Sequence, residues 1–113
     1  MRMWMINPKC LCNKHLLGEH GEIHKHRHNF TKCHSISGRL SPVVQIQPAS
    51  METRHNDLAT EMIARGMNHK SPYTQPDISH LDSSQQNAQV DQRISYTDLV
   101  KRCPACRERI LAT

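Results

Sequence analysis

The sequence predicts a mainly α-helical fold, one compact domain with long polar loops. Three observations carry that expectation. Cap and periodicity signals mark two helices, one starting at Asn7-Pro8 and one running from Ser50 to Gly66. Apart from a short hint at Val43 to Ile46, no segment alternates apolar and polar residues as a half-buried strand does. With 113 residues, the chain is too short for two independent cores.

The totals narrow the class further. Apolar residues make up 36% of the chain, which is low for a globular domain. Leu, Ile, Val and Phe together supply 21 of the 113 residues. That share signals disorder only when net charge is also high, and +5 is modest. A modest core is expected within a domain spanning 1–113, with a polar surface segment at 67–90 and a C-terminal helix and Cys-x-x-Cys tail at 95–113. No run of about 20 apolar residues is present, so no membrane span is predicted. Met3 to Ile6 is too short an apolar stretch for a secretory signal. A cytoplasmic chain with reduced thiols is expected, and an odd count of five Cys agrees with that. The isoelectric point near 9.2 points mildly to a polyanionic partner. Nine His invite a metal or proton-transfer site.

Taken in order, the first helix is expected from about Pro8 to Arg27. Asn7 caps it and Pro8 takes its first position. Cys12, Leu16, His20 and Ile23 share the face expected to pack on the core. His15, Glu19, Glu22 and His26 form a polar stripe beside that face. Gly18 and Gly21 weaken the helix by about 1 kcal/mol each relative to Ala, and glycines there can admit a close backbone or ligand. Residues 35–49 carry Ser, Gly38, Pro42 and Pro48 and read as a loop. Ser50 caps the second helix, about Met51 to Arg65, with Met51, Leu58, Met62 and His55 on one face. Gly66 ends it. Met67 to Asn87 reads as extended surface chain. Ser95 to Asp98 resembles a capping box leading into Leu99, Val100 and Cys103, and Pro104 interrupts.

Several residue groups could carry chemistry. Cys103-Pro-Ala-Cys106, together with Cys10 and Cys12, has the makings of a structural zinc site of four thiolates, or of three thiolates and a histidine. A redox pair or inert thiols are the plainer readings. Such a site needs the tail to fold back on the first helix, and a small core gains most from that staple. The segment from His24 to His34 is basic. Lys25, Arg27 and Lys32 could bind phosphates, joined by Lys14 and Arg54, or could form a solvated charged face. His24, His26 and His28 alternate, which spreads them round a helix and argues against one metal site there. The cysteines are the better metal candidates.

Two blocks bring a resemblance. The first reads Lys14-His-Leu-Leu-Gly-Glu-His-Gly-Glu-Ile-His24. The second reads Arg54-His-Asn-Asp-Leu-Ala-Thr-Glu-Met-Ile-Ala-Arg-Gly-Met-Asn-His-Lys-Ser71. With the Met1-Arg2 start, and in this order, they resemble the pyrimidine-dimer DNA glycosylases of the phage T4 endonuclease V type over roughly residues 1–72. The resemblance implies an all-helical fold with an N-terminal segment packed between helices. It implies cleavage of the glycosidic bond of a damaged pyrimidine, followed by nicking of the abasic site by β-elimination. It places the amine nucleophile on Met1, the key carboxylate on Glu22, and DNA contacts on Arg2 and His15. No cofactor takes part in that chemistry, and zinc would be structural only. Double-stranded DNA carrying damaged or abasic nucleotides is the implied partner of a chain expected to act as a monomer at a bacterial or phage nucleoid. The sequence departs from the family in four places. Met1 stands where the family has threonine, Gly21 and Lys25 each stand where it has arginine, and the Cys103-x-x-Cys106 tail replaces an aromatic-rich one.

Two other functions fit parts of the sequence. A non-catalytic, zinc-stabilised DNA-binding module would account for Met1. A zinc nucleobase deaminase is echoed by His20-Gly-Glu22 and the later Cys pair, although Pro104 lies inside that pair and no α/β pattern connects the halves.

Overall fold

The computed structural model describes residues 2–113. They form α1 (Asn13–Thr31), α2 (Met51–Ala64), the single turn α3 (Ser83–Gln86), α4 (Gln92–Arg102) and α5 (Pro104–Ala112). Short 3-10 turns lie at Pro8–Cys10, Ser37–Arg39 and Pro48–Ser50, and the described residues contain no strand. The expected mainly α-helical class is the observed one.

Residues 2–6 run without regular structure through the interior, with Met3, Trp4 and Ile6 buried. The Arg2 guanidinium donates to Asp98 of α4 at 2.7 Å, and the Ile6 carbonyl accepts from Arg54 of α2 at 2.6 Å. The N-terminal segment is therefore held between α2 and α4. Residues 43–46 do not become a strand. Met3 N–H donates to the Gln45 carbonyl and Gln45 N–H to the Arg39 carbonyl, both at 2.7 Å, without continuing into a ladder.

The first helix differs from the expected Pro8–Arg27 at both ends. Asn7 does cap, its side chain accepting from Lys9 N–H, and Pro8 does take the first position, but the turn stops at Cys10. Leu11 is extended and fully buried. Arg65, the residue that ends α2, captures the carbonyls of Pro8 and Leu11 at 3.1 and 2.7 Å, and Cys12 N–H points at the Cys106 sulfur. These tertiary partners replace the helical bonds that residues 8–12 would otherwise make. Along α1, Leu16, Ile23 and Phe30 are buried. The expected polar stripe divides: Glu19 and His26 are buried, whereas His15 and Glu22 remain partly exposed.

Gly66 closes α2 as expected. Its φ is +84°, a conformation that disfavours a side chain. Met67 N–H returns to the Met62 carbonyl and Gly66 N–H to Ile63, both at 2.9 Å, satisfying the last carbonyls. At the other end the Ser50 side chain makes no cap bond. Gln75 does that work: its side-chain oxygen accepts from Glu52 N–H, and Glu52 accepts from Gln75 N–H. The polar segment 67–90 is thereby tied to α2, and Tyr73, Leu81 and Val90 anchor it in the core.

The fourth helix starts at Gln92, earlier than the expected capping box. Asp91 caps it by accepting from Arg93 N–H at 2.9 Å, and Ser95 is buried inside the helix. Pro104 interrupts, as expected, but in doing so it opens α5, which packs against α4 and against the Pro8–Cys10 turn.

Candidate active site and metal centre

A cleft of about 280 Å³ lies where the N-terminal segment, the first half of α1 and the end of α4 meet. Its walls carry Arg2, Trp4, Lys14, His15, Gly18, Glu22 and Arg102. Helical spacing puts Lys14, Gly18 and Glu22 in line on one side of α1. Gly18 leaves room: a methyl group added there would meet no atom within 4 Å, and no backbone packs against Gly18 or Gly21. The Arg2 guanidinium lies 4.7 Å over the centre of the Trp4 ring. Asp98 takes one nitrogen of that guanidinium, while Nε and the other terminal nitrogen are buried without a partner. Glu22 Oε2 is likewise buried and unpartnered. The cleft thus holds an unused carboxylate oxygen and an unused arginine edge, surrounded by the cations Lys14 and Arg102. Buried polar atoms are seldom left unpaired, and where they are, a ligand is a natural partner.

The sequence-predicted residues divide on this geometry. Arg2, Lys14, His15 and Glu22 come together at the cleft, while Met1 lies outside the described residues. Lys25 is exposed on α1 one turn beyond Glu22. Lys32 is exposed past the far end of α1. Arg27 faces another way and donates to the Thr74 carbonyl at 3.0 Å. Arg54 is no surface cation. It is 4% exposed, and its guanidinium is spent on Glu19 and the Ile6 carbonyl. Arg54 therefore leaves the set of candidate phosphate contacts. Trp4 and Arg102 join the cleft without any local sequence signal, because the N-terminal segment and α4 reach it only through the fold.

Behind the cleft, the C-terminal tail does fold back on the start of α1. Cys12 Sγ lies 3.2 Å from His15 Nδ1 and 3.8 Å from Cys103 Sγ, and Cys106 Sγ lies 3.4 Å from His15 Nδ1. All four ligand atoms fall within 4.8 Å of one another. Thiolates around a tetrahedral zinc at the usual Zn–S length of about 2.3 Å are about 3.8 Å apart. Cys12 N–H and Cys106 N–H point at the sulfurs of Cys106 and Cys103. Cys10, expected among the ligands, is not one of the four. Its sulfur is buried beside the Thr113 hydroxyl at 3.8 Å, because the break at Leu11 turns it away. His15 takes the fourth place. Burial, then the positive charges of Lys14 and Arg102, lower the His15 pKa, so its ring is neutral and offers a lone pair. Burial pushes the Cys106 thiol up to about 12. Burial also acts against ionising Cys103, but N–H and S–H donors from Cys106 and Cys12 outweigh it and hold that thiol below the ordinary value. Thiols this close cannot all ionise without a cation among them, and a bound cation supplies what they lack.

A second group of imidazoles fills the other side of α1. His20 and His24, one turn apart, meet His55 of α2 and His69 of the segment beyond it. Burial, followed by the charges of His55, His24 and His69, takes the His20 pKa down to about 4. Burial lowers His24 and His55 as well. The deaminase-like arrangement does not form. His20 joins these histidines, while Cys103 and Cys106 meet Cys12 and His15.

The sequence model of the pyrimidine dimer DNA glycosylases matches residues 1–75. The chain belongs to that family. Membership implies DNA glycosylase function in pyrimidine dimer repair, with DNA as the substrate. The matched span holds the N-terminal segment, α1 and α2, and so every cleft residue except Arg102. It ends before Cys103 and Cys106, so half of the cysteine–histidine cluster lies outside it. No curated protein and no solved structure matches the chain. Among the described residues no helix is long and apolar enough to cross a membrane.

Proposed function

We propose that this glycosylase also nicks DNA as an AP lyase, with the α-amine of Met1 as nucleophile and Glu22 as its carboxylate. The supporting observation is the unpartnered Glu22 oxygen in the same cleft as Arg2, the neighbour of Met1 in the chain. An α-amine has a pKa of about 8, so a useful neutral fraction exists at pH 7 without special burial. Its lone pair attacks the sugar C1′ as the C1′–N bond breaks, and the damaged base leaves with that electron pair and takes up a proton. The attached amine gives a proton to Glu22, its lone pair forms the C1′=N bond as C1′–O4′ breaks, and O4′ takes up that proton, leaving a cationic Schiff base between Met1 and C1′. The Glu22 carboxylate stabilises that positive charge. Removal of a C2′ proton then expels the 3′ phosphate, and water releases the protein. On an abasic site the amine condenses directly with the C1′ aldehyde and water is lost.

Arg2, Lys14 and Arg102 supply cations for the flanking phosphates, and Lys25 extends the track along α1. Cys12, His15, Cys103 and Cys106 hold a structural zinc that staples α5 to α1 and takes part in no step. The protein acts as a monomer on the cytoplasmic nucleoid. The test uses the purified chain, abasic duplex DNA and borohydride. A reduced covalent adduct that maps to the N-terminal residue is expected. An adduct on a lysine overturns the assignment to the Met1 amine, and no adduct at all favours a DNA-binding module without lyase chemistry.

A further inference from the structure

We propose that His20, His24 and His55, with His69 as the fourth ligand, form a second metal site, separate from the cysteine cluster and suited to zinc or another late first-row divalent cation. The two clusters draw on different residues of α1. Cys12 is its N-cap and His15 belongs to its first turn, whereas His20 and His24 lie further along the helix. His20 and His24 are four apart and so project from one face, as paired helical metal ligands do.

The distances match a coordination sphere. His20 Nε2 is 3.1 Å from His55 Nε2 and 2.9 Å from His69 Nε2. One ligand nitrogen from each of His20, His24 and His55 falls within a common 4.8 Å. Imidazole nitrogens around a tetrahedral cation at about 2.0–2.1 Å are about 3.4 Å apart. Imidazole suits zinc, nickel and copper and does not suit magnesium or calcium.

Proton counting makes hydrogen bonding alone a poor account of the cluster. A neutral imidazole nitrogen carries either one N–H or one lone pair. His20 Nε2 faces two nitrogens and can satisfy one of them. His24 Nε2 is buried with no partner at all. Protonating the rings would pack like charges together, whereas a single cation at the centre satisfies every inward lone pair at once.

The surroundings orient the rings for this role. Asn56 Oδ1 lies 3.1 Å from His55 Nδ1 and can only accept there, so the His55 proton sits on Nδ1 and the Nε2 lone pair faces inward. The Tyr73 ring stacks on His55 with 4.8 Å between centroids and meets His24 edge-on at 5.3 Å. Its hydroxyl is fixed on the Ile23 carbonyl at 3.2 Å. A buried aromatic wall therefore closes one side of the cluster against water. Four protein ligands make a closed, structural site. It would join α1, α2 and the segment after Gly66, and would fix the roll of α1, which presents Glu22 on its opposite flank.

The test is metal stoichiometry of the full chain, freed of metal by chelation and then titrated with Co²⁺. The expected result is a first cation with thiolate-to-cobalt charge-transfer absorption and a second with ligand-field bands alone. His24→Gln and His69→Gln should each abolish or weaken the second step at least tenfold and leave the charge-transfer band in place. Because the wild-type titration needs no variant to fold, it decides by itself. A single cobalt, bound by thiolates, overturns the proposal. So does a second cobalt that persists unchanged in both folded variants.

Discussion

Arg54 of α2 and Glu19 of α1 form a two-point buried pair: Nε reaches Glu19 Oε2 at 2.5 Å and a terminal nitrogen reaches Oε1 at 2.9 Å, with the other terminal nitrogen on the Ile6 carbonyl. The pair joins both long helices to the N-terminal segment beside the Glu22 cleft. Removing one partner leaves a buried charge without compensation. Arg54→Met should therefore lower stability by about 3–5 kcal/mol, read from urea unfolding. Adding Glu19→Leu should recover most of that loss. A double variant as unstable as the single one would show that the Ile6 bond, and not the charge pair, dominates.

Glu22 contrasts with Glu19 on the same helix. Its unpartnered oxygen contributes no bond to folding, so Glu22→Gln should leave the melting temperature unchanged or slightly raised. Nicking of abasic DNA should fall by about 10²–10⁴-fold. Retained nicking with native stability would remove Glu22 from the chemistry.

The cysteine cluster should couple zinc to stability. At a free zinc concentration about 1,000 times its Kd, binding stabilises the fold by about 4 kcal/mol. Chelation or Cys103→Ser should remove that increment, measured as a lowered melting temperature. Cys10→Ala, which alters a buried sulfur outside the four ligands, should leave zinc stoichiometry intact. Loss of zinc in Cys10→Ala would restore the ligand set expected from the sequence.

His26 should make the fold sensitive to acid. It is 1% exposed and both ring nitrogens lack partners. Burial, with repulsion from Arg39 and Lys25, lowers its pKa from 6.5 to about 4. A base with a depressed folded pKa binds its proton better when unfolded. Stability is thus complete above pH 6.5 and is lost as pH falls toward about 4, flattening below. The full loss is on the order of 3 kcal/mol. His26→Leu should remove that share of the slope from urea midpoints taken between pH 7 and pH 4, leaving the part due to His20 and its neighbours, and an unchanged slope would assign none of it to His26.

Much of this was legible locally. Asn7-Pro8, the Ser50–Gly66 span and Gly66 itself are short-range signals, because caps and turns depend on a few neighbouring backbone groups. Met51, Leu58 and Met62 on one face, and Cys12 approaching Cys103 and Cys106, follow from periodicity and cysteine chemistry. The family resemblance pointed to Glu22 and Arg2, which both line the cleft. What no local pattern carries is which partner a polar group meets. Glu19 and Glu22 look alike in the stripe, and only α2, by presenting Arg54, makes one structural and leaves the other free. The alternation of His24, His26 and His28 spreads them round α1 without saying what each one meets. Yet His24 meets His20, His55 and His69 across three segments, while His26 is buried alone. Cys10 gave way to His15 because Arg65 captured the carbonyls around Leu11 and broke the helix there. These outcomes rest on contacts between residues tens of positions apart, formed when burial obliges each polar atom to find a partner.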